Sequence, residues 1–340
     1  MTRHLYVATN GLSVWSSSDL GETISRMPSS TGMYSGSQVW SLAVHPSDPG
    51  VLLAGTDSGV YRLDQATQRW THLPSPMDDM LVTALAFSAA DPRIILAGTQ
   101  PAAVFRSSDA GETWTIIETG MKPFVASGFF QGEDPNAASK KNPSKVRHWT
   151  RVTQIAFDTQ DPDLAWAGVE IDGAWRSRDA GKTWTRTSEG LEHDDVHGLA
   201  VIHNGSRRLF ATTAGGLHLS CDAGSTWTVQ PIDSPWQYVR SVVPKTDGSG
   251  TIFLTNGNGP PGSDGKLFRS RDFGKTWQQA PLPGRVESSA YFLATHPADP
   301  NLLFLAATLG QLYRSIDGGD NWTALPRRLG EVRGIAWMPG

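Results

Sequence analysis

The segment SSDAGETW, Ser107–Trp114, recurs five more times with small changes: SSDLGETI (Ser17–Ile24), SRDAGKTW (Ser177–Trp184), SCDAGSTW (Ser220–Trp227), SRDFGKTW (Ser270–Trp277) and SIDGGDNW (Ser315–Trp322). A seventh, eroded copy lies in YRLDQATQRW (Tyr61–Trp70). Its Tyr-Arg start and closing Trp align with YRSIDGGDNW (Tyr313–Trp322), although Ser, Asp and Gly are gone. Seven units in one chain specify a repeat fold.

Each copy follows a short apolar run such as AVFRS (Ala103–Ser107) or AWRS (Ala174–Ser177) and precedes Thr-rich extended residues, which reads as a hairpin with the motif at its turn. The Asp accepts hydrogen bonds from N–H groups of its own turn, and the Gly supplies the positive φ that such a turn needs. The Trp is left to pack on a neighbouring sheet. A turn device repeated around a fold cannot mark a single site, so these residues are read as scaffold.

A second repeat defines the unit. Asp91-Pro92, Asp161-Pro162 and Asp299-Pro300 each stand 18 residues before a motif Asp (Asp109, Asp179, Asp317). The unit is therefore an apolar strand, an Asp-Pro turn, a strand ending Ala-Gly, a loop, a strand, the Asp motif and a last strand. Four antiparallel strands in roughly 40–50 residues is the pattern of a propeller blade. Successive copies lie 43 to 50 residues apart except for one interval of 70. The N-terminal strands HLYVAT (His4–Thr9) and LSVWSSSD (Leu12–Asp19) lack an innermost partner, and EVRGIAWMPG (Glu331–Gly340) matches the innermost pattern of VTALAF (Val82–Phe87) and VTQIAF (Val152–Phe157). Closing one blade with strands from both termini leaves no open sheet edge. The expectation is an all-β, seven-bladed β-propeller that occupies residues 1–340 as one domain, with a lid-like insertion at about 120–147.

Composition narrows the function classes. With 29 Lys and Arg against 33 Asp and Glu, the net charge of −4 gives no electrostatic footprint for nucleic acid or an anionic membrane. The single Cys221 lies inside a motif and cannot form a disulfide or a Cys-based metal site within one chain. No apolar run approaches the length of a membrane span, and MTRHLYVATNG runs into a strand without an apolar signal core, so a cytoplasmic location is expected.

The SxDxGxTW pattern resembles the Asp-box, or BNR, repeat over nearly the whole chain. That resemblance implies the propeller fold and leaves activity open, because the family includes sialidases, xyloglucanases, sortilin-type receptors and a photosystem II assembly factor. Sialidases are a poor match, being six-bladed with an Arg-Ile-Pro motif absent here. Xyloglucanases combine two seven-bladed domains around a cleft, so their catalytic carboxylates cannot be carried onto this chain. It is most similar to single-domain "glycosyl hydrolase-like" propellers.

Propellers place function at the channel mouth, where the innermost strands start. Aligning those strands gives one ring of Trp40, Thr83, Thr153, His197, Arg240, Tyr291 and Arg333, and a preceding ring of Gln38, Leu81, Arg151, Asp195, Tyr238, Ser289 and Glu331. These positions are mostly polar and differ from blade to blade, as a site for an asymmetric ligand requires. A wet channel that tolerates any polar residue is the plainer reading.

The densest chemistry is GLEHDDVHGLAV (Gly190–Val201), with His193, Asp194, Asp195 and His197. Imidazole and carboxylate serve proton transfer near neutral pH or bind a divalent metal, with His148 as a third imidazole beside His193 and His197. A solvated loop is the competing reading. Asp195, Glu331, His193 and His197 are the catalytic candidates. Arg151, Arg240 and Arg333, with Tyr238, Tyr291 and Trp40, are candidates for holding a substrate, since Arg receives carboxylate or phosphate through a planar fork. Alternatively they pair with Glu331, Asp195 or Glu287. His45 and His296 precede Pro in a repeated turn and are read as structural.

The 70-residue interval holds KPFVASGFFQGEDPNAASKKNPSK, whose Phe124, Phe129 and Phe130 point to a segment folding over the mouth as a lid or docking element. NGNGPPGSDG (Asn256–Gly265) is a second elongated mouth loop, read as turn-rich and not as a phosphate cradle. Two functions follow from these features. One is a hydrolase or lyase acting on a small polar or anionic molecule at the mouth; the other is a non-catalytic scaffold docking a protein partner through the mouth and the 120–147 loop. A deep pocket favours the first, and a flat top with exposed Phe side chains favours the second.

Overall fold

Seven four-stranded antiparallel sheets form the ring expected from the repeats. The structure is a computed structural model that describes residues 2–121, 125–126, 147–148 and 150–340. One blade joins the two ends of the chain: Val332–Pro339 is its innermost strand, paired with Arg3–Thr9, followed by Val14–Ser17 and Ser25–Arg26. The blade of the eroded motif runs Val39–Val44, Val51–Thr56, Gly59–Asp64 and Arg69–Leu73. The other five follow the same order from centre to rim. Most of the insertion read at about 120–147, with its Phe residues, lies outside the described residues. Within it, Val125–Ala126 pairs with Arg147–His148 as a two-stranded ribbon.

The Asp motifs close the turns between third and fourth strands. In the copy at Ser107, the Ser107 hydroxyl donates to Asp109 Oδ1 (2.8 Å) and accepts the Gly111 N–H (2.9 Å). Asp109 also accepts the Thr113 N–H (2.9 Å) and hydroxyl (2.5 Å). Gly111 takes φ +91 as expected, and Ala110 before it sits at φ +63, a strained position for a residue with a Cβ. The Trp114 indole N–H donates to Gly111 O (3.0 Å) while its ring joins a buried cluster with Leu53, Val60 and Leu73 of the preceding blade. Each motif thus satisfies its own turn and bolts one blade to the next.

The innermost strands carry a second repeated device that the sequence did not announce. In all seven blades the pairing of the first and second strands slips at the same place: Val39/Ser41, Val82/Ala84, Val152/Gln154, Val196/Gly198, Val239/Val242, Ala290/Phe292 and, in the joined blade, Val332/Gly334. The skipped residues include Trp40, Thr83, Thr153, His197, Arg240, Tyr291 and Arg333. A β-bulge removes a residue from the ladder and re-aims its side chain. The aligned ring is therefore a ring of bulges, and that positions the site.

Candidate functional site

A channel of about 520 Å³ runs between the innermost strands, lined at its mouth by Trp40, Arg151, His197, Tyr291 and Arg333. Below them Leu42, Leu85, Ile155, Leu199 and Ile335 make its walls apolar.

The bulged residues first tie the blades together. The Thr83 hydroxyl donates to Val152 O (2.7 Å) and the Thr153 hydroxyl to Val196 O (2.7 Å), each reaching the next innermost strand. His197 continues this belt, with Nδ1 at 2.6 Å from Val239 O, and Ser241 Oγ extends it to Tyr291 O (2.5 Å). A carbonyl oxygen only accepts, so His197 Nδ1 carries a proton. Its other nitrogen, Nε2, faces Asp195 Oδ2 at 3.2 Å. That contact is a hydrogen bond only if one further proton lies between the two side chains, so His197 and Asp195 titrate as a pair. His197 is 3 % exposed. Burial and the charge of Arg240 push its imidazolium down, against the pull of Asp195. Burial pushes the Asp195 carboxyl up, but the His197 bond and the charges of His197, Arg240 and His193 outweigh it and hold Asp195 below the usual carboxylate range. Asp195 Oδ1 is buried without a partner.

Glu170, which the sequence reading passed over, completes the cluster. It follows the second strand Ala165–Val169 and holds Arg151 through two contacts, Nε to Oε2 at 3.0 Å and Nη2 to Oε1 at 3.2 Å. Burial raises its carboxyl; Arg151, Arg240 and Arg333 oppose the rise and the charge of Asp195 adds to it. The same position in other blades holds Asn10, Asp57 and Ala214, identified by the shared backbone bond back to the residue two before the bulge. Asn10 plays the corresponding role, its Nδ2 donating to Glu331 Oε2 (2.8 Å). A third aligned ring, at the ends of the second strands, would have brought Glu170 into the set of mouth residues.

The three arginines have different fates. Arg333 pairs with Glu331, as the plainer reading had it. Arg151 pairs with Glu170, a partner not foreseen. Arg240 has no carboxylate in ion-pair contact among the described residues, although it is 4 % exposed. Its Nη1 donates to Tyr238 Oη (2.5 Å), and its guanidinium carbon lies 3.9 Å from the Tyr291 ring centroid and 4.9 Å from that of Tyr238. Trp40 sits beneath two guanidinium groups, Arg333 at 3.9 Å and Arg151 at 4.9 Å. Glu287 is elsewhere, paired with Arg328 (2.5 Å).

The sequence candidates Asp195, His197, Tyr238, Arg240, Tyr291, Arg333, Glu331, Arg151 and Trp40 thus converge. His193 stands apart on the exposed rim, where its Nδ1 accepts the Asp195 N–H (3.0 Å), and Asp194 is engaged with Arg186 (2.6 Å). The His148 side chain lies outside the described residues. Among the described residues no group of three or more His, Cys, Asp or Glu side chains is placed to hold a metal ion. His45 and His296 accept backbone N–H groups of their own turns, the structural role read for them. The Asn256–Gly265 loop is tied down by Ser289, whose hydroxyl donates to Gly259 O (2.5 Å). No described helix is long and apolar enough to cross a membrane.

Residues 217–338 match the family model described as Sortilin, neurotensin receptor 3 (Sortilin-Vps10). A xyloglucanase of a Paenibacillus species is 28% identical over 335 residues, which is 82% of this chain and 30% of that protein. Among solved structures, a GH74 enzyme of Niastella koreensis superposes with a TM-score of 0.63 at 20% identity, over 84% of this chain and 45% of that one. YCF48 bound to a D1 peptide superposes with a TM-score of 0.53 at 14% identity, over 85% and 81%. The chain spans less than half the length of the xyloglucanase and the GH74 enzyme. The Asp motifs and the seven sheets make the chain a seven-bladed propeller, and the solved structures share that fold.

Proposed function

We propose that this propeller is a hydrolase that cleaves a glycosidic bond in a small carbohydrate bound at the channel mouth. One observation carries the reading: two carboxyl groups in one mouth, close enough to feel each other, are driven in opposite directions, Glu170 up and Asp195 down. Such a split assigns acid and base, since a carboxyl that keeps its proton can donate to a leaving group and one that stays ionised can activate water or attack. His197 fixes one Asp195 oxygen through the shared proton. Arg151 holds Glu170 in place. The kinship with xyloglucanases supports hydrolysis and a carbohydrate ligand over lyase chemistry or a docking scaffold.

The test is release of reducing ends from a panel of oligosaccharides, with Glu170→Gln assayed on natural and on nitrophenyl glycosides. A leaving group that departs without protonation bypasses the acid. Glu170→Gln should lose about 10²–10⁴-fold on natural linkages and far less on nitrophenyl ones. Equal losses on both would remove Glu170 from the acid role, and no release from any substrate by the wild-type protein would remove the hydrolase reading.

A further inference from the structure

Four Asn-Gly pairs occur in the chain, beginning at Asn10, Asn204, Asn256 and Asn258. In this dipeptide an asparagine loses its amide most easily. Glycine has no Cβ to screen its backbone nitrogen or to restrict the rotation that brings that nitrogen onto the preceding side chain. The fold treats the four pairs differently.

Three have their amides held. Asn10 Nδ2 donates to Glu331 Oε2 (2.8 Å). Asn256 is fully buried, and its Nδ2 donates to Trp236 O (2.9 Å) and Tyr238 O (3.1 Å). Asn258 is exposed, yet its Oδ1 accepts the N–H groups of Ser263 (2.8 Å) and Asp264 (3.1 Å), and its Nδ2 donates to Ser263 Oγ (3.1 Å). Each must break these bonds before its Cγ can turn to the next backbone nitrogen.

Asn204 has nothing to break. With Gly205 and Ser206 it forms the exposed tip of the hairpin between Val196–His203 and Arg207–Thr213, at the end of the channel opposite the mouth. Its backbone N–H donates to Ser206 O (3.0 Å), but among the described residues neither its side-chain amide nor the Gly205 N–H makes a hydrogen bond. Gly205 sits at φ +67, and a Cβ placed there would meet no atom within 4 Å. The stem below is fixed. His203 faces Arg207 across the hairpin, and both bind Asp158 of the preceding blade, through His203 Nε2 at 2.9 Å and Arg207 Nε at 2.5 Å.

We infer that Asn204 is a site of spontaneous chemical modification, independent of any reaction at the mouth. The Gly205 nitrogen attacks Asn204 Cγ and passes its proton to solvent. The new C–N bond closes a cyclic imide, and the Cγ–Nδ2 bond breaks with release of ammonia. Water then opens the imide at either carbonyl, leaving aspartate or isoaspartate. Both products carry a new carboxylate on the face away from the mouth. Isoaspartate also lengthens the loop backbone between His203 and Arg207, the two residues that Asp158 holds.

The test is incubation of the whole chain in mildly alkaline buffer, followed by peptide mass spectrometry with chromatographic separation of aspartyl and isoaspartyl forms. In the folded protein Asn204 should lose its amide before Asn10 and Asn258, and at least about tenfold faster than Asn256, whose buried hydrogen bonds must open first. In denaturant, where no pair is held, the four rates should draw together. Gly205→Ala places its Cβ in open space and should slow the loss at Asn204 several-fold; if that variant fails to fold, the folded and denatured wild-type rates decide. Loss at Asn204 no faster than at the other three in the folded chain overturns the inference. So does a product that is aspartate alone, because direct attack of water on the amide would then replace the imide.

Discussion

At the outer turns, Ser107, Asp109, Gly111 and Thr113 make the same bonds as Ser177, Asp179, Gly181 and Thr183, and four other motifs repeat them. At the channel mouth the backbone repeats as faithfully, with a bulge in every innermost strand, yet the bulged residues are Trp, Thr, Thr, His, Arg, Tyr and Arg. The difference lies in what satisfies the backbone. In the outer turn the side chains themselves are the partners of the orphan N–H groups, so changing them costs stability. At the bulge a side chain needs at most to reach one carbonyl of the next strand, and any polar group of suitable length serves. Repetition of side chains therefore marks scaffold, and repetition of backbone with varied side chains marks the place where function is free to accumulate.

The sharpest way to break this contrast is to disable one residue of each kind. Asp195→Asn should lower turnover by about 10²–10⁴-fold while leaving thermal unfolding close to that of the wild type. Asp109→Ala should do the reverse. It removes the acceptor of three hydrogen bonds and should cost about 1–2 kcal/mol in denaturant unfolding, with sugar binding unchanged. A loss of both properties in both variants would mean that the two regions are not separable.

The pH dependence sharpens the same comparison, because the carboxyls of the two regions titrate for different reasons. Hydroxyl and amide donors of Thr23 and Thr113 hold Asp19 and Asp109 at about 2. In Asp222, Asp272 and Asp317 burial pushes up and the same kinds of bond outweigh it, giving about 2 again. A carboxyl lowered in the folded state stabilises it above the unfolded value. That stabilisation is complete above about pH 4 and disappears as the pH falls toward 2. Melting temperature should therefore decline through that window, more gently in Asp109→Ala. Turnover should follow a bell instead. It rises as Asp195 ionises below the usual carboxylate range and falls as the raised Glu170 loses its proton, and Glu170→Gln should flatten the alkaline limb.

A further effect on stability concerns the belt. His197→Ala removes the donor to Val239 O and leaves that carbonyl buried and unmatched, a loss of about 1–3 kcal/mol that the measured unfolding free energy should register.

The repeats made the fold legible because the Asp motif writes a backbone requirement directly into side-chain identity, and the closure followed from the missing innermost partner of His4–Thr9. The mouth was legible in outline for a related reason: aligning innermost strands picks out the bulged residues even when the bulge itself is not visible. Glu170 escaped because it lies one residue past a second strand, in a ring that had not been aligned. That Arg240 makes no ion-pair contact among the described residues depends on distances of a few ångströms, which no spacing in the sequence encodes. His193 and His197, four residues apart, looked like partners, yet a strand start separates them: one caps a loop on the rim and the other is buried in the belt.

His197 joins both halves of the comparison in a single side chain, since Nδ1 does the work of the Thr83 and Thr153 hydroxyls and Nε2 shares a proton with Asp195. Replacing it by the residue that the neighbouring blades use separates the two roles. For His197→Thr, measured side by side for melting temperature and glycoside cleavage, the account predicts a melting temperature within a few degrees of the wild type and turnover reduced by about 10²-fold or more. A variant that cleaves as fast as the wild type would reduce His197 to one more belt residue and contradict the claim that the mouth's varied side chains carry the chemistry.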